Sequence, residues 1–359
     1  MSWFLAFAGF AALIILHELG HFTAAKAVGM RVERFSLFFP PLLGRIRRGE
    51  TEYAIGAVPL GGYVKITGMN PAEEIPPEAA HRAYFRQPVW KRIVVIAAGP
   101  FVNIVIAFVL LTGLYAVKGS PETLNRIAPI ALEPPAIGTL KPGDDLLTID
   151  GRKAPPTNVR AALARHACKD QPPVDGCNGA SAATLRISRG GQVRTLHITP
   201  RYDGTFKRMR LGFSFDFGYV DKSVPESASL AVGGMWRVTR ETVKAIGRLF
   251  YSSQARKDVS GVVGSYEVTR ESFSFDTAQA LNVLAIVSLS LAVINLFPFL
   301  PLDGGHIFWA LAEKVRGRPI PFSVIERASA IGFLLVIFLF VIGLSNDIGR
   351  LRGEGFGLR

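Results

Sequence analysis

Four long stretches with almost no formal charge constrain this chain more than anything else in it. Residues 1–25 contain one charged side chain, Glu18. Residues 93–117, 277–302 and 328–346 contain none, and each lies between charged residues at its ends. A helix needs about 20 apolar residues to cross the hydrocarbon core. In lipid its backbone polar groups must be satisfied within the segment. The expected fold class is therefore an α-helical polytopic membrane protein with four transmembrane helices. Composition agrees: 19% of residues are charged and 49% hydrophobic, whereas soluble domains carry about 25% charged residues. The first stretch is expected to be a retained span. A cleaved signal peptide would have a basic leading region, and HELGH here takes the place of the small-residue cleavage site.

Basic residues set the orientation. Between the first and second spans lie Lys26, Arg31, Arg34, Arg45, Arg47, Arg48, Lys65, Arg82, Arg86, Lys91 and Arg92, and none precedes the first span. The positive-inside rule puts 26–92 in the cytoplasm and the N-terminus outside. The net charge of +13 fits basic residues flanking spans and facing anionic lipid. No zinc-finger, helix-turn-helix or stacking-aromatic pattern accompanies that charge, so a lipid bilayer and no nucleic acid is expected as partner. The loop 304–327 falls on the cytoplasmic side, and 118–276 and the tail 347–359 fall outside.

The outside segment reads as folded protein. Residues 118–203 show short apolar runs broken by Pro and Gly, such as Leu146–Ile149 and Thr184–Ile187, the pattern of a small β-rich domain. In 204–276, Met235, Val238, Thr242, Ile246 and Phe250 recur near helical spacing. That suits an amphipathic helix on the membrane surface or one facing a core. Cys168 and Cys177 bracket one polar loop without a CxxC. They are a candidate disulfide if that loop is extracytoplasmic. On the cytoplasmic side, residues 53–66 read as strand, turn, strand, a β-hairpin with Gly61-Gly62 at its turn.

Chemistry concentrates in the first and third spans. His17-Glu18-Leu19-Gly20-His21 places two imidazoles at i and i+4 on one helix face, able to reach one ion, with a carboxylate beside them that can accept a proton from water. Two histidines and a glutamate in a span are costly in lipid and mark function. A third ligand is available in Asp303, which follows Asn295-Leu-Phe-Pro-Phe-Leu-Pro-Leu. Pro298 and Pro301 break the helix there, so the segment must line a cavity or pack on protein. The first and third spans run in the same direction, and both motifs lie toward the C-terminal end of their span. They therefore meet near one membrane face, the cytoplasmic one. Two histidines and a carboxylate are a common catalytic zinc set. His306 could compete as a ligand, although a supporting or loop role suits its place after two glycines. Asn295 could hold a substrate backbone or steady the loop, the former being favoured. Asn103, in Gly99-Pro100-Phe-Val-Asn103, is expected to serve packing or to support the site.

HELGH, GPFVN, GGYVK and NLFPFLPLDGGH, in that order, resemble the site-2 protease family, especially its bacterial regulator-of-sigma-E branch. The resemblance implies one zinc ion per chain held by His17, His21 and Asp303, Glu18 as the catalytic acid/base, and Asn295 in substrate binding. Residues 134–151 resemble a PDZ module, with Gly138-Thr139 where that module usually has Ala-Gly; in the family such a module screens substrates by the size of their external domain. The resemblance further implies hydrolysis of peptide bonds within single-span membrane proteins, such as anti-sigma factors or signal-peptide remnants, in regulated intramembrane proteolysis linked to stress response. It places the chain in the bacterial inner membrane with both termini periplasmic. A substrate helix must unwind before attack. Gly61, Gly62, Tyr63 and Val64 of the hairpin are expected to pair with the opened strand, and Gly304 to support the Asp303 turn. The rival reading from another class is a membrane metal transporter or metal sensor using the same His/Asp cluster.

Overall fold

The computed structural model describes residues 1–59, 61–70, 73–130, 132–153, 158–169 and 172–353. Parts of the Cys168–Cys177 loop and of the predicted 347–359 tail lie outside them. The chain divides into two compact units. One comprises Met1–Val117 with Ser223–Arg359, and the other is Lys118–Lys222.

In the first unit the apolar runs form helices α1 (Ser2–Ala27) and α2 (Val89–Lys118). Among the described residues, four helices are long and apolar enough to span a membrane; the others come later in the chain. Between α1 and α2 lies a sheet of β1 (Val32–Leu37), β2 (Phe39–Arg48), β3 (Thr51–Val58) and β4 (Tyr63–Ile66), in the order β2-β3-β1-β4. This differs from the hairpin expected over 53–66. β1 lies between β3 and β4, parallel to the first and antiparallel to the second. The antiparallel pair joined by a short turn is β2–β3. β1 and β3, which buries Thr51 and Ala54, take the centre because they carry what the sheet buries. Val32 and Ser36 are buried, and Phe35 meets Phe22 of α1 edge-on at 5.4 Å. Gly61 and Gly62 therefore lie in the connection that carries the chain past β1, and β4 remains an edge strand.

The second unit holds β5 (Ser120–Ile127), β6 (Asp145–Ile149), β7 (Arg152–Lys153), α3 (Val159–Leu163), β8 (Ala183–Arg189), β9 (Gln192–Ile198), β10 (Arg201–Asp203), β11 (Arg208–Arg210) and β12 (Phe215–Val220). The main sheet runs β12-β5-β6-β8-β9, with β7 on β6. Ile127, Leu146, Ile149, Leu185 and Ile187 form its core. Cys168 and Cys177 are joined by a disulfide. The unit extends beyond the expected boundary at 203. That boundary would cut the β10–β11 pair and remove β12, which lies against the first strand of the domain.

The chain then returns to the first unit through α4 (Val224–Leu249), α5 (Ser253–Asp258), α6 (Val262–Phe275), α7 (Thr277–Asn295), α8 (Asp303–Arg316) and α9 (Phe322–Arg352). The amphipathic pattern in 204–276 corresponds to α4. Its Ala231 and Met235 pack with Leu111 of α2 and Ala285 of α7, so this part of its apolar face is turned to a core. On α9, Ile331, Leu334 and Phe338 are 71%, 65% and 58% exposed, a band that water would penalise and lipid would not. α9 is longer than the expected 328–346 because its charged end has a buried use. Asp347 accepts hydrogen bonds from the amides of Gly261 (3.0 Å) and Gly264 (2.7 Å), at the start of α6. The expected cytoplasmic loop 304–327 is largely α8. Asp303 sits in its first turn, Lys314 and Arg316 in its last, and Gly317 closes it with φ +72°. These charges suit the helix dipole, and a left-handed glycine is a common helix stop.

Candidate metal centre

α1 brings His17 and His21 to one face, and both imidazoles are buried. α2 packs against that face with a stripe of its own spaced i, i+4, i+8. Val95 offers its carbonyl, which accepts from His21 Nδ1 at 2.8 Å. Gly99 offers space. A Cβ there would collide with His21, its nearest atoms all being in the imidazole ring. Asn103 places its amide nitrogen 3.3 Å from His17 Nδ1. The two helices approach so closely because Gly20 of α1 lies on the Ala98 carbonyl, 2.7 Å from where a Cβ would sit. Small residues permit such backbone contact between membrane helices. Pro100 has no amide to offer the preceding turn of α2, which loosens the helix beside the Val95 carbonyl that His21 uses.

Asp303 arrives from the opposite end of the chain. Between α7 and α8 the backbone leaves the helix over 296–302 and folds back onto the α8 start. Gly304 is pressed against the Leu296 carbonyl, where no side chain would fit. The far end of α8 is tied to α2 by a two-pronged pair, with Arg92 donating to Glu313 at 2.6 and 3.0 Å. Asp303 is thus held through both its own turn and its helix.

The result is a nearly equilateral triangle of donor atoms. Asp303 Oδ2 lies 3.4 Å from Nε2 of His17 and 3.4 Å from Nε2 of His21, and the two Nε2 atoms are 3.3 Å apart. A tetrahedral zinc ion with bonds of about 2.0–2.1 Å requires ligand atoms about 3.3–3.4 Å apart. Among the described residues Asp303 Oδ2 is buried with no hydrogen-bond partner, a costly state for a carboxylate unless a cation answers it. His21 donates from Nδ1 to Val95, which leaves its Nε2 lone pair facing the triangle. Geometry, the orphaned oxygen and the donor set all fit a tetrahedral divalent metal.

Glu18 is half-buried on α1, within electrostatic reach of His21, His17 and Asp303. It is backed by Gly62, where a Cβ would stand 2.9 Å from Glu18 Cγ. His306, on the first turn of α8, interacts electrostatically with Asp303 and His21 but lies outside the donor group.

The other expected residues distribute as follows. Asn295 ends α7, half-buried, at the entry to the broken segment. Gly61 leaves room for the Phe39 ring, and Tyr63 stacks on that ring and receives a hydrogen bond from Arg34 (3.1 Å). Val64 pairs with Phe35 and packs against the core beneath the sheet. Sequence reasoning missed the roles of Gly99, Val95 and Ser288, whose hydroxyl donates to the Asn103 carbonyl at 2.9 Å. Gly99 and Asn103 had a signal, since their spacing of four matches that of the histidines they face.

The chain resembles known proteins along nearly its whole length. It is 31% identical to "Putative zinc metalloprotease all3971" of Nostoc sp., over 99% of this chain and 98% of that one. It is 32% identical to "Putative zinc metalloprotease CPE1693" of Clostridium perfringens, over 96% and 97%. It is 27% identical to "Zinc metalloprotease Rip1" of Mycobacterium bovis, over 93% and 94%. The description of peptidase family M50 matches residues 5–339, a span that takes in the histidine pair, the α2 stripe and Asp303. This chain belongs to peptidase family M50.

Proposed function

We propose that this chain is a zinc-dependent protease that cuts single-span membrane proteins within their membrane-spanning segments. The observation that carries the reading is a carboxylate, Glu18, beside a triangle of three metal donors, two of them on a helix apolar and long enough to span a membrane. Family membership and the zinc metalloproteases among its relatives support the metal and the reaction class.

His17, His21 and Asp303 would hold the ion. When bound there, zinc supplies Lewis acidity toward the scissile carbonyl and toward water. Glu18 takes the water proton and passes it to the leaving amine. Gly62 leaves Glu18 the room to do so. A substrate helix must expose its backbone before attack, and two elements support its capture. The free edge of β4 can add an extended strand, and Asn295 at the helix break can bind a released backbone group.

The basic segment 26–92 supports a cytoplasmic sheet, an inner-membrane location and periplasmic termini. The β-rich unit Lys118–Lys222 then lies outside. It is read as a PDZ module, with a cleft of about 650 Å³ between α3 and residues 211–215, screening substrates by the size of their external domain. Single-span proteins already trimmed outside, such as anti-sigma factors or signal-peptide remnants, are the substrates this reading favours.

The test is a cleavage assay on a panel of single-span substrates with zinc controlled, comparing wild type with Glu18→Gln. Loss of product by about 10²–10⁴-fold, with zinc affinity retained, is expected for removal of the general base. Full cleavage by Glu18→Gln overturns Glu18 as the base, whereas a zinc-loaded wild type that cleaves nothing on the panel overturns the protease reading in favour of metal transport or sensing.

A further inference from the structure

Asn103 is a fully buried polar side chain beside the metal centre, with 0% exposure. Its backbone is held from α7 by the Ser288 hydroxyl. Its side chain is only half used. Nδ2 faces His17 Nδ1 at 3.3 Å, while Oδ1, also buried, has no hydrogen-bond partner among the described residues. Leaving an amide oxygen buried without a donor costs free energy, so the arrangement calls for an explanation.

The tautomer of His17 provides one. With Asn103 Nδ2 turned to it, Nδ1 would have to act as the acceptor. The imidazole proton must then sit on Nε2, among His21 Nε2 and Asp303 Oδ2, at the point a metal would take. A metal ligand needs the opposite: a lone pair on Nε2 and the proton on Nδ1. That proton would meet an amide N–H, donor against donor. A half-turn of the Asn103 amide removes the conflict and brings the partnerless oxygen onto Nδ1–H. His21 already has this arrangement through the Val95 carbonyl.

We propose that Asn103 is a positioning residue whose side-chain amide oxygen accepts the His17 Nδ1 proton when metal is held. That hydrogen bond fixes the ligating tautomer of His17. The proposal rests on the metal-centre reading above. It distinguishes Asn103 from a packing residue, because only the acceptor at this position matters for the bound state.

The test uses the full-length protein in detergent, with Asn103→Leu, which keeps the volume and removes the acceptor, and Asn103→Asp, which keeps the acceptor and removes the donor. Zinc affinity is read by chelator competition, and ligand geometry by the visible absorption of the cobalt-substituted protein. Asn103→Leu is expected to weaken zinc by about 10–100-fold, as losses of such outer partners do, and to alter the cobalt spectrum. Asn103→Asp is expected to bind zinc within a few-fold of wild type with an unaltered spectrum. Wild-type affinity in the leucine variant, or lost affinity in a folded aspartate variant, overturns the proposal and makes Asn103 a packing residue. If the leucine variant does not fold, the aspartate result decides alone. A wild-type protein that binds no zinc overturns the metal centre itself.

Discussion

Adding one methyl group to α2, Gly99→Ala, should disable the metal centre while leaving the helix sound. Alanine is a better helix former than glycine by about 1 kcal/mol, so the backbone has no reason to object. The new Cβ, however, collides with the His21 imidazole, with Nε2, Cε1 and Cδ2 as its nearest atoms. The ring has no free direction of retreat, because its Nδ1 is bound to the Val95 carbonyl on the same helix. Overpacking of this kind costs about 1–3 kcal/mol, and breaking the Val95 hydrogen bond costs about 1 kcal/mol more. If the ring must retain its ligating position, the sum of about 2–4 kcal/mol weakens zinc binding by about 30- to 700-fold. Chelator competition on the purified protein measures this directly, and Glu18-dependent cleavage should fall with zinc occupancy. Gly113→Ala in the same helix is the control, since nothing lies within 4 Å of a Cβ there. A Gly99→Ala protein that binds zinc within a few-fold of wild type would refute the reasoning.

Two other outcomes follow from the β1–β4 sheet. Val64→Pro should abolish cleavage of helical substrates while sparing zinc affinity, because proline interrupts strand pairing at the β4 edge; unimpaired cleavage would mean that substrate is held elsewhere. The Arg82 guanidinium, with Lys26 adding to it against the cost of burial, holds the Glu50 carboxyl down at about 2 from an ordinary 4.5. A depressed carboxylate contributes stability that is complete above the unfolded value and disappears as pH falls through the folded one. The difference in thermal stability between wild type and Glu50→Gln should therefore shrink from pH 4.5 toward pH 2; a constant difference would show that the ion pairs contribute nothing.

The metal centre was legible because its chemistry is local. Two histidines at i and i+4 share a face by helix geometry alone, and the direction of the spans brought Asp303 to the same membrane side. The sheet was less legible. Residues 53–66 have the strand-turn-strand composition of a hairpin, and nothing local says that β1, from before β2, inserts between those strands. Helix α8 lay inside a stretch read only as the charged connection between two spans, and Gly304 and Gly305 gave no helical signal. Their use is spatial, since only glycine lets the 296–300 backbone lie on the helix start. Gly99 carried no more signal than its spacing of four from Asn103. Its role lies in what stands opposite, and one sequence does not display a neighbour on another helix.

The separation of the donors along the chain also governs when the enzyme can come into being. His17 and His21 enter the membrane with the first span, whereas Asp303 follows the third. While it is being made, the chain holds two histidines in the bilayer and no carboxylate to complete the set. A half-made protein therefore carries an incomplete and inert site. The complete donor set, and hydrolytic competence with it, belongs only to the finished chain.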